Sequence, residues 1–219
     1  MARGDKEVLF RYFAEISKAL SNPHRLELVD LLTQAPRTVE QLAELAQISI
    51  ANTSQHLQVL KQARLVNCQR EGKYQLYSLA DPLVAVLWVD IRRLAQLRLG
   101  EIEAVLDRYR THRHDLAYIS MREVWQGMQA EELVLIDARP REEFTAGHLP
   151  GAVSLPVDSI PLLVRELPMG KTLVTYCRGS VCVDADDASI LLSAYGYPVR
   201  RLEASLTEWQ LEGYEIEKG

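Results

Sequence analysis

Residues 172–192 read TLVTYCRGSVCVDADDASILL. The apolar run Leu173–Tyr176 has the length and content of a strand. It ends at Cys177. Arg178, Gly179, Ser180 and Val181 make a short loop, and a helix opens near Cys182. A cysteine between a strand and a helix start is well placed for nucleophilic chemistry. Loop N–H groups and the helix N-terminus are expected to point at its sulfur, stabilise the thiolate and lower its pKa. Arg178 adds positive charge, and Gly179 lets the backbone curl close to a bound sulfur or anion. The plainer alternative is a buried structural cysteine. Asp184, Asp186 and Asp187 suit the helix dipole but should weaken binding of an anionic donor.

The same alternation extends on both sides. Strand-like runs Leu133–Ile136, Thr172–Tyr176 and Val199–Leu202 are separated by helix-like runs at 121–129, 160–166, 183–195 and 206–212. This order predicts an α/β domain, a parallel sheet with helices on both faces. Upstream, 109–118 (YRTHRHDLAY) is polar without a clear period and reads as the linker. His112, His114 and Asp115 read there as solvated linker rather than a metal cluster, since no fixed scaffold is evident. The expected domains are 1–110 and 118–219.

The first half reads differently. A helix over 7–20 is apolar nearly all round (Phe10, Phe13, Ile16) and must bury more than one face. Asn22-Pro23 caps and starts a second helix. Thr38 with Gln41 forms a capping box for a third. A fourth opens at Ile48-Ser49 and runs to about Gln62. Two strands, 65–69 and 75–79, flank the turn Arg70-Glu71-Gly72-Lys73. Asp81-Pro82 starts a long helix to about Tyr109. Short helices followed by a hairpin make an α+β winged helix-turn-helix. On the fourth helix, Ile50, Thr53, Leu57 and Leu60 share an inward face. The stretch Asn52, Thr53, Ser54, Gln55 and His56 is the candidate DNA-reading segment. Asn and Gln can pair with adenine, while Ser and His suit phosphate. Arg70 and Lys73 at the hairpin tip would reach a neighbouring groove or phosphate. For a lone helix a solvated polar face would be the better reading; the preceding helix and the basic hairpin reverse that.

Composition sets bounds on these readings. The chain has 219 residues, 47% hydrophobic and 25% charged, which excludes bulk disorder. Three cysteines are too few for a disulfide scaffold. The opening MARGDKEVLF has no long apolar core, and the tightest apolar run, Leu83–Val89, is far short of a membrane span. A cytoplasmic protein with reduced thiols is expected. The net charge of −5 is uneven. Residues 1–110 carry 15 Lys+Arg against 13 Asp+Glu, and 111–219 carry 10 against 17. Clustered basic groups in the first half can serve an acidic polymer; two solvated surfaces of unequal charge explain the numbers as well.

The segments SNPHRLELVDLL, TVEQLAEL, SQHLQVLKQARLV and REGK, in order over roughly residues 7–90, resemble the ArsR/SmtB winged-helix repressors. The resemblance implies a homodimer, held by the first and last helices (Leu87, Ile91, Leu94), on a palindromic operator. Metal-sensing members carry cysteines in the helix before the reading helix; TVEQLAEL has none, and the last helix has no histidine until His112. No metal and no cofactor is therefore expected. Cys68, alone in this half, reads as a small packing residue.

The second half, with IDARPREEFTAGHLPGAVSLP before the cysteine loop and RRLEASLTEW after it, resembles the rhodanese (sulfurtransferase) family over about 118–217. The resemblance implies that Cys177 takes a sulfane sulfur from a donor such as thiosulfate or polysulfide. It then holds the sulfur as a persulfide and passes it to a thiol acceptor or cyanide. Arg178, Gly179, Ser180, Val181 and Cys182 complete the loop. Asp137, Arg139, Glu143 and His148 shape and brace it. Phosphatase relatives need C-x5-R, and that position is Val183 here, so oxyanion transfer is disfavoured. The usual Gly-Gly before the last helix is Ala204-Ser205. Cys182 either resolves a persulfide or disulfide with Cys177, or packs at the helix start. The combined expectation is a dimeric repressor whose rhodanese domain makes it sulfur- or redox-responsive. A sulfurtransferase using the winged helix for dimerisation and targeting is the alternative, and a Cys177–Cys182 redox sensor is a third.

Overall fold

A computed structural model describes residues 3–219, so the first two positions of the expected 1–110 domain lie outside the described residues. The chain forms two compact units, Met1–Ile91 and Arg92–Gly219.

In the first unit α1 (Arg3–Leu20) leads into α2 (Pro23–Gln34), where the Asn22 side chain accepts from the Arg25 N–H and Pro23 occupies the first turn. The two-residue strand β1 (Arg37–Thr38) precedes α3 (Val39–Leu45), which has the expected Thr38/Gln41 capping box. Ser49 caps α4 (Ile50–Gln62) by accepting from the Asn52 N–H at 3.2 Å. β2 (Val66–Glu71) and β3 (Tyr74–Leu79) form the antiparallel hairpin, and β1 adds to β3 on its other side. Gly72 makes the turn with φ +61°, a conformation that favours glycine. Leu28, Leu32, Leu42, Leu57, Leu60, Tyr77 and Val84 build one core. Cys68 packs at its edge, opposite Tyr77 across the ladder. Burial and the Cys68 thiol push the Tyr77 hydroxyl up to about 12.

Two expectations change here. Ile50 is exposed while Thr53, Leu57 and Leu60 are fully buried, because the first helical residue precedes the turn that meets the core. The helix expected to run unbroken to Tyr109 is two: α5 (Pro82–Arg98) and α6 (Glu101–Tyr109). Gly100, a poor helix former, stands at the break.

The chain passes between units inside α5, not in the expected linker. Arg92 and Arg110 are buried among residues of the second unit. The boundary expected after 110 therefore moves to Ile91/Arg92. His112, His114 and Asp115 are exposed, in line with the solvated reading.

The second unit is a five-stranded parallel sheet in the order β4-β8-β7-β5-β6. Its elements are β4 (Tyr118–Ile119), α7 (Met121–Gln129), β5 (Leu133–Asp137), α8 (Arg141–Ala146), β6 (Val153–Ser154), α9 (Ile160–Leu163), β7 (Thr172–Tyr176), α10 (Asp184–Ala194), β8 (Val199–Leu202) and α11 (Leu206–Leu211). Alternate strand residues feed two cores. Ile136 and Leu173 pack with Ile160, Ala188 and Leu192, while Leu135, Val174 and Tyr176 pack with Val124, Leu206 and Trp209. Helices cover both faces, as the alternation predicts. The Ala204-Ser205 departure is functional capping: the Ser205 hydroxyl and backbone N–H both donate to Glu208 Oε2, at 2.7 and 2.9 Å. Among the described residues no helix is long and apolar enough to cross a membrane.

Candidate functional site

β7 delivers Cys177 to the carboxyl edge of the parallel sheet, where ligands bind in open α/β sheets. Buried Leu173, Val174 and Tyr176 fix the strand, so the cysteine position is set by the core. Thr175 completes the anchorage; its hydroxyl and that of Ser189 on α10 are 2.6 Å apart.

The thiol of Cys177 is buried, 1% exposed. Its sulfur lies 3.6 Å from the Cys182 carbonyl and 3.9 Å from the Gly179 carbonyl. The expectation that loop N–H groups surround the sulfur is corrected on this point: these loop groups are carbonyls. The Ala185 N–H at the start of α10 does reach it. Burial alone would raise the thiol pKa, but a hydrogen bond from Cys182 and the charge of Arg201 outweigh burial and hold it below the ordinary cysteine value. Cys182 goes the other way. Its hydrogen bond to Cys177 and its burial push its thiol far up, and its Sγ also lies 3.3 Å from Asp184 Oδ2. The two thiols are therefore shifted in opposite directions, Cys177 toward ionisation and Cys182 away from it.

Arg178 does not supply the charge expected of it at the sulfur. Its Nη2 and Nε bond the buried Glu143 carboxylate at 2.7 and 3.0 Å, which pins the loop from α8. Arg139 is fully buried, bonds Asp137 through two nitrogens and reaches the Gly147 carbonyl at 2.7 Å. His148 stacks on Phe144, and its Nδ1 is 2.9 Å from the Phe144 carbonyl. Glu143 thus braces the loop directly. Asp137, Arg139 and His148 brace the turn after α8.

Three groups before β4 also hold the loop. Gln96 Nε2 donates to Ser180 Oγ at 3.0 Å, and Arg110 Nη1 donates to the Ser180 carbonyl at 2.6 Å. Arg92, paired with Glu208 at 2.7 Å, lies over Gly179. A Cβ at Gly179, where φ is +113°, would sit 3.1 Å from the Arg92 guanidinium. Gly179→Ala is therefore expected to cost about 1–3 kcal/mol through backbone strain, read as a lower urea midpoint for the second unit. An unchanged midpoint would mean that this loop conformation is not needed.

Asp186 is not a free repelling charge. It accepts from Arg110 Nε and Nη2 at 2.7 and 3.0 Å and from Arg201 Nε. Asp184 lies 3.7 Å from Arg178 Nη1. Asp187 alone of the three is exposed. Burial and its two neighbouring aspartates raise its pKa. Val181 meets Leu99, Ile102, Val105 and Tyr109 around an apolar cavity of about 460 Å³.

On α4, Gln55 is exposed, and Asn52, Ser54 and His56 are half-buried. Thr53 leaves the DNA-reading set. It is fully buried, and its hydroxyl donates to the Ser49 carbonyl at 3.0 Å. His56 lies 5.5 Å from His24, and burial, then Arg25 and His24, lower its pKa. These causes favour its uncharged form. Arg70 and Lys73 are exposed at the hairpin tip, with Arg70 Nε bonding the Gly72 carbonyl at 3.1 Å.

Sequence reasoning missed Arg201, Arg92 and Arg110. Arg201 carried a signal: a charged residue inside the short strand run 199–202 must find a counter-charge if the strand is buried.

A helix-turn-helix domain family matches residues 20–69, and the rhodanese-like domain family matches 120–212. The HTH-type transcriptional regulator Rv0324 of Mycobacterium tuberculosis is 35% identical over 98% of this chain and 94% of its own length. A sulfurtransferase of Allochromatium vinosum is 30% identical over 39% of this chain and 79% of its own. Among solved structures, the homodimeric winged helix-turn-helix DNA-binding domain of a possible ArsR-family regulator from Mycobacterium bovis is 35% identical. It covers 45% of this chain and 92% of its own, with a TM-score of 0.43. With a helix-turn-helix match ahead of a rhodanese-like match, and a relative matched along nearly its whole length, the chain belongs to the HTH-type transcriptional regulators and itself carries a C-terminal rhodanese-like domain.

Proposed function

We propose that this regulator is a cytoplasmic homodimeric repressor of operator DNA whose affinity is set by sulfur carried on Cys177. Support for the sulfur step is the buried, low-pKa thiol at the sheet edge. The Cys177 thiolate attacks the outer sulfur of thiosulfate or a polysulfide. A new S–S bond forms, the donor's S–S bond breaks, and sulfite (or the shortened polysulfide) leaves with the electron pair. The persulfide then gives its outer sulfur to an acceptor thiolate, and Cys177 is regenerated. No external oxidant is consumed. The exposed Asp187 disfavours anionic donors, so thiosulfate is a poorer donor than neutral or protein-bound persulfides.

One observation carries the regulatory link: the loop is tied to Gln96 of α5 and to Arg110. With the sulfur at 1% exposure, a second sulfur atom about 2 Å beyond it must be seated among the loop's own groups and not in solvent. Loading therefore displaces the loop and loosens those ties. α5 also carries Val84 and Trp88 of the winged-helix core.

Dimerisation is supported by apolar side chains left uncovered within the chain. Phe10, Tyr12 and Phe13 of α1 and Leu83, Leu94 and Leu97 of α5 are all exposed. Ile91, expected at the dimer face, packs on its own core instead. Two reading helices would then sit about 34 Å apart on the operator. Gln55→Ala is expected to relax sequence preference, at about 1–3 kcal/mol per lost base contact. Lys73→Ala should weaken all sequences alike and lower the salt slope by about 1. Fluorescence anisotropy on promoter and scrambled DNA over a salt series reads both. A monomer with no salt-dependent affinity for its promoter refutes the DNA-binding reading.

A further inference from the structure

The cysteine loop has no cation of its own on the sulfur, since Arg178 is engaged by Glu143 and Asp184. A guanidinium arrives instead from β8. Arg201 is fully buried, and its Nη2 stands 3.7 Å from Cys177 Sγ, 2.8 Å from the Cys182 carbonyl and 3.2 Å from the Gly179 carbonyl. These are the same two carbonyls that flank the sulfur. Arg201 Nε bonds Asp186 Oδ1, and Asp186 is gripped from its other side by Arg110. Arg110 in turn holds Glu203 at 2.7 Å. A chain of buried charges thus runs from the end of α6 to the reactive sulfur.

We propose that Arg201 is the catalytic cation of this site: it stabilises the Cys177 thiolate and then the persulfide anion, with Asp186 and Arg110 as the residues that position it. A guanidinium suits the task because its rigid fork turns one nitrogen, Nη2, toward the two carbonyls and the sulfur while keeping Nε for Asp186. Several other groups face the sulfur or its loop. Cys182 gives it a hydrogen bond, Asp184 at the start of α10 opposes its charge, and Tyr109 on α6 feels both cysteines. Arg178 is neutralised locally by Glu143. Arg201 is therefore the one cation among them that touches the sulfur. It comes from a strand, twenty-four residues after the cysteine, and no motif of the loop announces it.

This assignment rests on the sulfur-carrying reading of Cys177, but its test does not need sulfur transfer. The rate of iodoacetamide alkylation is measured against pH on the full chain and read as mass on the Cys177 peptide. Arg201→Met is expected to raise the inflection by about one pH unit or more and slow alkylation at pH 7 about tenfold. Arg201→Lys should fall between the two. One ammonium can still meet Asp186 and so preserve the fold, but it cannot hold Sγ and both carbonyls together. If Arg201→Met does not fold, the Lys variant decides: an inflection within 0.2 unit of the parent overturns the proposal, as does an unmoved inflection in folded Arg201→Met. Wild-type protein is incubated with thiosulfate and with a polysulfide in parallel. If its cysteine titrates low yet gains no sulfur, the sulfur-carrying reading fails while the Arg201 assignment stands.

Discussion

Cys177→Ser is expected to abolish sulfur loading, leaving no mass gain on the 172–192 segment after incubation with a sulfane donor. A hydroxyl cannot carry a persulfide, and a serine is not ionised at pH 7. Oxygen and sulfur are close enough in size for the loop to survive, so the loss reads chemistry and not folding. Before loading, Cys177 should be alkylated faster than Cys68 at neutral pH, because its thiolate is favoured by Cys182 and Arg201 against the cost of burial. The sign follows directly: a lowered pKa means a larger thiolate fraction at pH 7, lost as pH falls through that value. Cys182→Ser separates the two roles of the second cysteine. If Cys182 resolves the persulfide, its loss prolongs the persulfide and prevents a loop disulfide. If it serves only as a proton-keeping hydrogen-bond donor, the thiol pKa moves while transfer continues. Intact sulfur transfer in Cys177→Ser would remove the rhodanese-type assignment of this loop.

Asp186→Ala carries the largest expected effect on stability. Arg110 and Arg201 have side chains exposed by only 1% and 0%, and both bond Asp186. Removing the carboxylate leaves two buried guanidinium groups without their shared counter-charge. Breaking a buried pair in this way costs about 3–5 kcal/mol, a large part of the roughly 5–15 kcal/mol that holds a domain together. Urea unfolding of the second unit should show a much lower midpoint with little change in slope. The DNA-reading unit does not contain these residues and should unfold as before. A loss under about 1 kcal/mol would mean that Glu203 and the loop carbonyls satisfy both arginines unaided.

The sequence made the reactive strand, loop and helix legible because three signals coincide at residues 172–192: an apolar run, a glycine and a cluster of acidic residues at a helix start. The capping residues Asn22 and Thr38 were equally readable, since side-chain caps act within three residues. β4 and β6 escaped notice at two residues each, too short for a period to register. α8, at six residues, shares that limit. The position of the boundary was hidden for another reason. An unbroken helical pattern through 82–98 does not reveal that Val84 faces one core while Arg92 is drawn to Glu208, a partner 116 residues away. The same holds for the site. Local residues pointed to Cys177, whereas the approach of Arg201 and the Gln96 and Arg110 ties depend on long-range packing. Asp186 was visible, but read as a helix-dipole partner, because nothing local shows that two arginines reach it from either side.

The central claim joins sulfur on Cys177 to DNA affinity, and one titration reaches it directly. Operator DNA is titrated with the full-length protein before and after polysulfide treatment, at fixed salt, with Cys177→Ser as control and loading verified by mass. The account predicts a change in Kd of at least about tenfold on loading, equivalent to about 1.4 kcal/mol of coupling, and no change in Cys177→Ser. Equal affinity of loaded and unloaded protein for the operator would contradict it.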